Sequence, residues 1–203
     1  MLMNPFARRS NSHPLVIGMV GVKMGDRLLQ IGCAHGGRLA AVAAKVGLSG
    51  RAVAIVPDEA SAARVRKGAA QEGVLVEIEI APPNRLPVDD RSFDVAVVDD
   101  TGGLVATMRA EDRAAGVGEL LRALRPGGRV IFIGASPAGG LGGLLAGSKG
   151  APPFVASGGA SAALTAGGFR SVRTLADRER LVFVEGIKSR EAAGGAGKAG
   201  GAG

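Results

Sequence analysis

Two pairs of residues in this chain carry side chains capable of chemistry. Cys33 and His35 sit two apart in the run GDRLLQIGCAHGG, residues 25–37. A thiol beside an imidazole suggests an activated nucleophile, because a nearby base raises the thiolate fraction. The competing reading makes Cys33 a small residue in a tight turn, on a bent loop where the two side chains need not meet. Asp99 and Asp100 follow the apolar run 93–98. Carboxylates there can orient a nucleophile, act as a base or hold a cation; equally, they can close a turn or cap the next element.

The loop around the first pair has its own chemistry. An apolar strand runs into Gly32-Cys33-Ala34-His35-Gly36, which opens a helix. Glycine lets backbone approach a ligand closely, and the first turn of a helix presents unpaired N–H groups. A dinucleotide site requires G-x-G-x-x-G and an acid after the second strand, whereas this chain offers G-x-x-x-G-G and Val56. No Gly-Lys-Ser/Thr follows the loop, so a Walker-type phosphate site is absent.

The elements that must position these residues follow from hydropathy patterning. Strands are expected at 27–31, 52–56, 75–80, 93–98, 129–133, 171–175 and 181–185, with helices at 38–46, 59–71, 110–124 and 157–166 and a short helix ending at 22. Short β-branched strands alternating with helices predict an α/β, doubly wound, Rossmann-like sheet. Only residues 176–180 separate the last two strands, too few for a helical crossover. The seven-stranded sheet is therefore expected to be mixed, ending in a C-terminal antiparallel hairpin. One domain is expected over 1–190, followed by a disordered Gly/Ala-rich tail at 191–203. The Gly-rich segment 137–153 is either a lid or a plain surface loop.

Composition narrows the partners. The 203-residue chain holds one Cys and two His, so neither an internal disulfide nor a structural zinc cluster is expected, and a reducing, cytoplasmic setting is. Its best apolar run, 14–22, is too short to span a bilayer. A net charge of +7 raises the thought of nucleic acid, yet the basic residues are dispersed and there is no Trp or Tyr to stack on bases. Nucleic acid is not an expected partner.

Three motifs in order resemble those of class I S-adenosylmethionine-dependent methyltransferases, particularly the quinone-biosynthesis C-methyltransferases. Residues 25–36 look like the family's glycine-rich first motif. LPVDDRSFD at 86–94 is similar to its LPF-P-D-x-S-F-D segment, and ELLRALRPGGR at 119–129 to its E-x-x-R-V-L-K-P-G-G segment. No N-P-P-Y-like run is present, which argues against the amino-methylating DNA and protein-glutamine groups.

The resemblance implies S-adenosyl-L-methionine as cofactor, a small-molecule methyl acceptor and no metal. It places Gln30, Gly32, Cys33, Ala34, His35 and Gly36 around the methionyl part, Val56, Pro57 and Asp58 near the ribose, and Pro82 near the adenine. Asp99 and Asp100 would line the reaction site. The family usually has acids where this chain has Gln30, Val56 and Pro82, and glycine where it has Ala34. Asp58 either reaches the ribose or caps the second of the main helices. The replaced acids motivate an alternative, a methyltransferase fold that has lost catalysis and serves as a binding or regulatory module. A third reading, RNA methylation, rests on positive charge alone.

Overall fold

Leu28 and Leu29 are neighbours in β1 (Arg27–Ile31), and both are fully covered, on opposite faces of the sheet. Such a strand demands a layer on each side. One layer packs Leu29 and Ile31 with Phe93, Val117, Leu120, Phe132 and Leu164; the other packs Leu28 with Val16, Val20, Val42, Val97 and Phe183. The computed structural model describes residues 13–136 and 153–190. The expected tail at 191–203 and nearly all of the Gly-rich segment 137–153 lie outside these residues.

After β1 the chain runs through α2 (Gly36–Val46), β2 (Arg51–Val56), α3 (Glu59–Glu72) and β3 (Glu77–Ile80). It continues through β4 (Phe93–Asp99), α4 (Ala110–Ala123), β5 (Leu124–Ala135), α5 (Gly159–Ala166), β6 (Arg170–Arg178) and β7 (Leu181–Ile187); α1 (Pro14–Val20) precedes β1. The seven strands form one sheet in the order β3-β2-β1-β4-β5-β7-β6, with β7 antiparallel to both of its neighbours. The mixed Rossmann-like sheet and its terminal hairpin are as expected. Strand order reverses between β1 and β4, so the crevice beyond their carboxyl ends is where this architecture takes ligands.

Element ends differ from the sequence reading by a few residues in several places, and three of the starts have a physical reason. β3 begins at Glu77, because Leu75 is 84 % exposed and outside the sheet. α2 begins at Gly36, two residues before the expected start. β5 begins at Leu124, where the pattern had put the end of a helix. Phe93 pairs with Leu124 and Val95 with Arg129, so Arg125–Gly128 is accommodated as a bulge in a continuing strand. Gly127 takes the turn at φ +77.

The matched motifs at 86–94 and 119–129 are one mechanical unit. Glu119 accepts the Leu86 N–H at 2.8 Å, while Arg122 donates to the carbonyls of Leu86 and Val88 and to Asp90. α1 is moored by Arg129, whose Nη2 donates to the carbonyls of Val20 and Gly21 while its Nη1 reaches the buried Glu185 at 3.3 Å. Arg129 thus holds the end of α1, while the start of that helix lies near His35 and Arg38.

Candidate functional site

Gly32 sits at φ +75 immediately after β1, where a Cβ would come 2.7 Å from Leu104 Cδ2 and 3.1 Å from the Asp99 carbonyl. Only glycine supplies that turn, and it leaves bare backbone facing an open cleft of about 230 Å³. Cys33, Ala34, Pro57, Asp58 and Asp99 also line this cleft, joined by Arg64 from α3 and Leu104 from the loop after β4. The structure thus brings six of the sequence-predicted site residues together at the carboxyl edge, across the β1–β4 switch point. A larger cleft of about 640 Å³ lies at the opposite end of the strands, around Leu48, Gly50 and Leu75, and none of the sequence-predicted site residues lines it.

Other expected contacts fall elsewhere. Gln30 is buried, and its amide nitrogen donates to the Gly32 carbonyl at 3.0 Å; it braces the turn from beneath. Val56 is fully covered and packs with Cys33, Leu39, Ala62 and Val65, since a side chain on that face of β2 meets α3. Pro82 is exposed on the loop after β3, where its carbonyl accepts the Arg85 N–H. Gly36 lies against α3, and His35 turns to a separate cavity beside α1.

Asp99 is the best-connected acid of the site. Its carboxylate accepts from Ala34 N at 3.3 Å, from Arg38 Nη2 at 3.2 Å, and from the Thr101 hydroxyl at 2.6 Å. Arg38 also bonds the Thr101 hydroxyl. With side chains only 10 % and 2 % exposed, Arg38 and Asp99 form a buried ion pair. Asp99 therefore ties β4 to the glycine-rich loop; its oxygens are committed to these donors and not presented as a free base. Asp100 has a local task as well: Oδ1 accepts from Val105 N at 2.6 Å and Ala106 N at 3.3 Å, while burial pushes its carboxyl above the usual range. The turn-closing reading accounts for the bonds of Asp100 and for those of Asp99 to Thr101, whereas the bonds of Asp99 to Arg38 and Ala34 join β4 to the glycine-rich loop.

Asp58 caps α3, accepting Ser61 N at 2.7 Å, and that bond holds its carboxyl below the usual range. It is also exposed at the cleft, so capping leaves an ionised acid beside Pro57.

Cys33 is 4 % exposed and is not a nucleophile in this geometry. Burial, with Asp99 adding its negative charge, pushes the thiol up to about 11. At pH 8, iodoacetamide is expected to alkylate Cys33 at least about 100-fold more slowly in the folded protein than in the urea-unfolded chain. Equal rates, read by mass spectrometry, would contradict the buried placement.

Sequence reasoning missed Arg38, Arg64 and His13. Arg64 Nε donates to the Cys33 carbonyl at 3.0 Å, fastening α3 over the loop. The available signal was an arginine on the apolar face of the helix that follows the glycine-rich turn, opposite a pair of aspartates. Among the described residues no group of three or more His, Cys, Asp or Glu could hold a metal ion, and no helix is long and apolar enough to cross a membrane.

Comparison with known proteins bears on the family and the fold. Residues 28–128, about half of the chain, match a family model described as a methyltransferase domain. An uncharacterized protein of Mycobacterium tuberculosis is 29 % identical over 133 residues, covering 66 % of this chain and 46 % of that protein. The 27-O-demethylrifamycin SV methyltransferase of Amycolatopsis mediterranei is 32 % identical over 126 residues, covering 60 % of this chain and 44 % of the relative. The chain thus spans about half the length of the curated relatives it matches. Among solved structures, an S-adenosylmethionine-dependent methyltransferase from Aquifex aeolicus superposes with a TM-score of 0.68 at 20 % identity, covering 91 % of this chain and 93 % of its own. The [4+2]-cyclase SpnF superposes at 0.61 with 18 % identity, covering 87 % and 79 %. With the matched domain spanning the glycine-rich loop, the switch-point cleft and the bulge into β5, this chain belongs to the class I S-adenosylmethionine-dependent methyltransferase family.

Proposed function

We propose that the protein transfers a methyl group from S-adenosylmethionine to a small-molecule acceptor. The observation that carries this is the bare turn at Gly32, opening on a cleft that has an ionised Asp58 at one end and Leu104 on its wall. The residues present fit the adenosine half of the cofactor. Asp58 would hold the ribose hydroxyls, and Pro57 and Leu104 would flank the base, with the loop 32–34 under the methionyl part. The cofactor when bound supplies an electrophilic methyl group. The chain's own contribution is positioning: Gln30, Asp99, Arg38 and Arg64 fix the loop in one shape. Methyl transfer needs alignment more than a strong base, so two acids committed to turns are compatible with it. The motifs at 86–94 and 119–129 favour the quinone-biosynthesis C-methyltransferases as nearest in kind, acting in a reducing compartment where Cys33 stays a thiol.

A second reading, a binding or regulatory module, draws on two observations: Asp99 is already neutralised by Arg38, and Val56 is buried in the core. Calorimetry with S-adenosylmethionine and S-adenosylhomocysteine separates the two. Binding in the micromolar range supports the enzyme; no heat at millimolar ligand supports the module. Asp58→Asn keeps an acceptor for Ser61 N and removes the charge. It is expected to leave the unfolding free energy from urea titration within about 0.5 kcal/mol of the parent while weakening cofactor binding about ten-fold. Unchanged affinity would remove Asp58 from the site.

A further inference from the structure

Across the Arg38–Asp99 pair from the cofactor cleft lies a second cavity, about 260 Å³, between the start of α1, the start of α2 and the β6–β7 turn. Its walls carry His13, His35, Arg38 and the turn residue Glu179. The His13 imidazole lies over the first turn of α2, since a Cβ on Gly37 would stand 3.3 Å from its Nε2. His35 is the N-cap residue of α2, and its side chain caps nothing, which leaves the N–H groups of this turn without a side-chain acceptor. Neither imidazole makes a hydrogen bond among the described residues.

Arg38 supplies the independent observation. It is nine-tenths buried, and all of its bonds run through Nη2, to Asp99 and Thr101. Nε is buried with no hydrogen-bond partner among the described residues. A buried guanidinium with unspent donors is costly unless something charged completes it. The surroundings are electropositive: after burial, Arg38 and His35 are the main influences holding the His13 imidazole below its ordinary value, and Glu72 opposes them. Glu179, the acid on the cavity wall, is exposed on the hairpin turn, where water screens it. A helix N-terminus, two imidazoles and an incompletely paired guanidinium therefore converge on one small cavity that suits an anion.

Resting on the reading of the adjoining cleft as the cofactor site, we propose that this cavity is the acceptor pocket and that the acceptor is a small organic acid, its anionic group seated on His13, His35 and Arg38. The cavity shares the Arg38–Asp99 wall with the cofactor cleft, so an acid held there lies next to the site of transfer. The carboxylate of the cofactor itself has the same chemistry, and the test separates the two.

Benzoate and its uncharged counterpart benzamide are titrated into the whole protein while the imidazole signals of His13 and His35 are followed by NMR. Benzoate is expected to bind about ten-fold or more tightly than benzamide and to raise the titration midpoint of His13, with both effects unchanged when S-adenosylhomocysteine is saturating. His13→Leu combined with His35→Leu removes two side-chain donors that make no hydrogen bond among the described residues and is expected to abolish the preference at an unchanged melting temperature. Equal binding of the two probes overturns the proposal. So does expulsion of benzoate by S-adenosylhomocysteine, which would assign the cavity to the cofactor's carboxylate. A protein that prefers benzoate but gives no heat with either cofactor form supports the anion pocket while refuting methyl transfer.

Discussion

Arg38→Met is expected to destabilise the protein by about 3–5 kcal/mol, the usual cost of leaving one member of a buried ion pair alone. Asp99 is 2 % exposed, so a carboxylate deprived of Arg38 keeps only Thr101 and the Ala34 amide as partners. The sign of the effect does not imply that the pair stabilises the fold. Arg38 Nε has no partner among the described residues, so the pair as described already carries an unmet donor. Arg38→Met/Asp99→Leu, which replaces both charges with apolar groups, is therefore expected to recover most of the loss. Urea unfolding of these two variants and of Asp99→Leu alone gives the comparison, with non-additivity of more than about 2 kcal/mol as the signature of direct pairing. A loss below about 1 kcal/mol for Arg38→Met would mean that water reaches the pair. If the double variant is stable yet binds S-adenosylmethionine poorly, the pair is kept for the shape of the loop and not for folding.

This pair also marks the limit of what the sequence revealed. β1 was legible to the residue, because its two leucines and Ile31 belong to cores on both faces and the turn residue Gly32 ends it. The hairpin was legible from its five-residue spacing. The bulge at Arg125–Gly128 was not: Pro126 and two glycines read as a full stop, whereas pairing on either side of them carries β5 through. The site was half legible for a related reason. Types and spacing announce a ligand loop, but they cannot say that Val56 turns beneath α3 while Asp58, two residues on, faces the cleft. Nor can they say that Asp99 is consumed by an arginine 61 positions earlier. An arginine on a helix ordinarily reads as a solvated face. Only the close approach of α2 to the end of β4 makes Arg38 internal.

Gly36→Ala tests what permits that approach. A Cβ on Gly36 would lie 2.0 Å from the Arg64 carbonyl oxygen and 2.9 Å from its carbon, and one on Gly68 would lie 2.4 Å from the Gly36 carbonyl. α2 and α3 touch backbone to backbone here, and backbone cannot turn aside as a flexible side chain can. Either substitution must push the helices apart, at an expected cost of about 3 kcal/mol. At Gly68 the better helix propensity of alanine returns roughly 1 kcal/mol. Gly118→Ala in α4 is the control: nothing lies within 4 Å of its Cβ, so propensity alone should stabilise it by about 0.5–1 kcal/mol. The consequence for the site follows from Arg64, whose backbone meets Gly36 and whose guanidinium holds the Cys33 carbonyl. Displacing α3 moves that guanidinium, the Asp58 cap at the start of the same helix and hence one wall of the cleft. Gly36→Ala should accordingly lose both stability and affinity for S-adenosylhomocysteine, whereas a variant that loses stability alone would show the cleft to be independent of helix spacing.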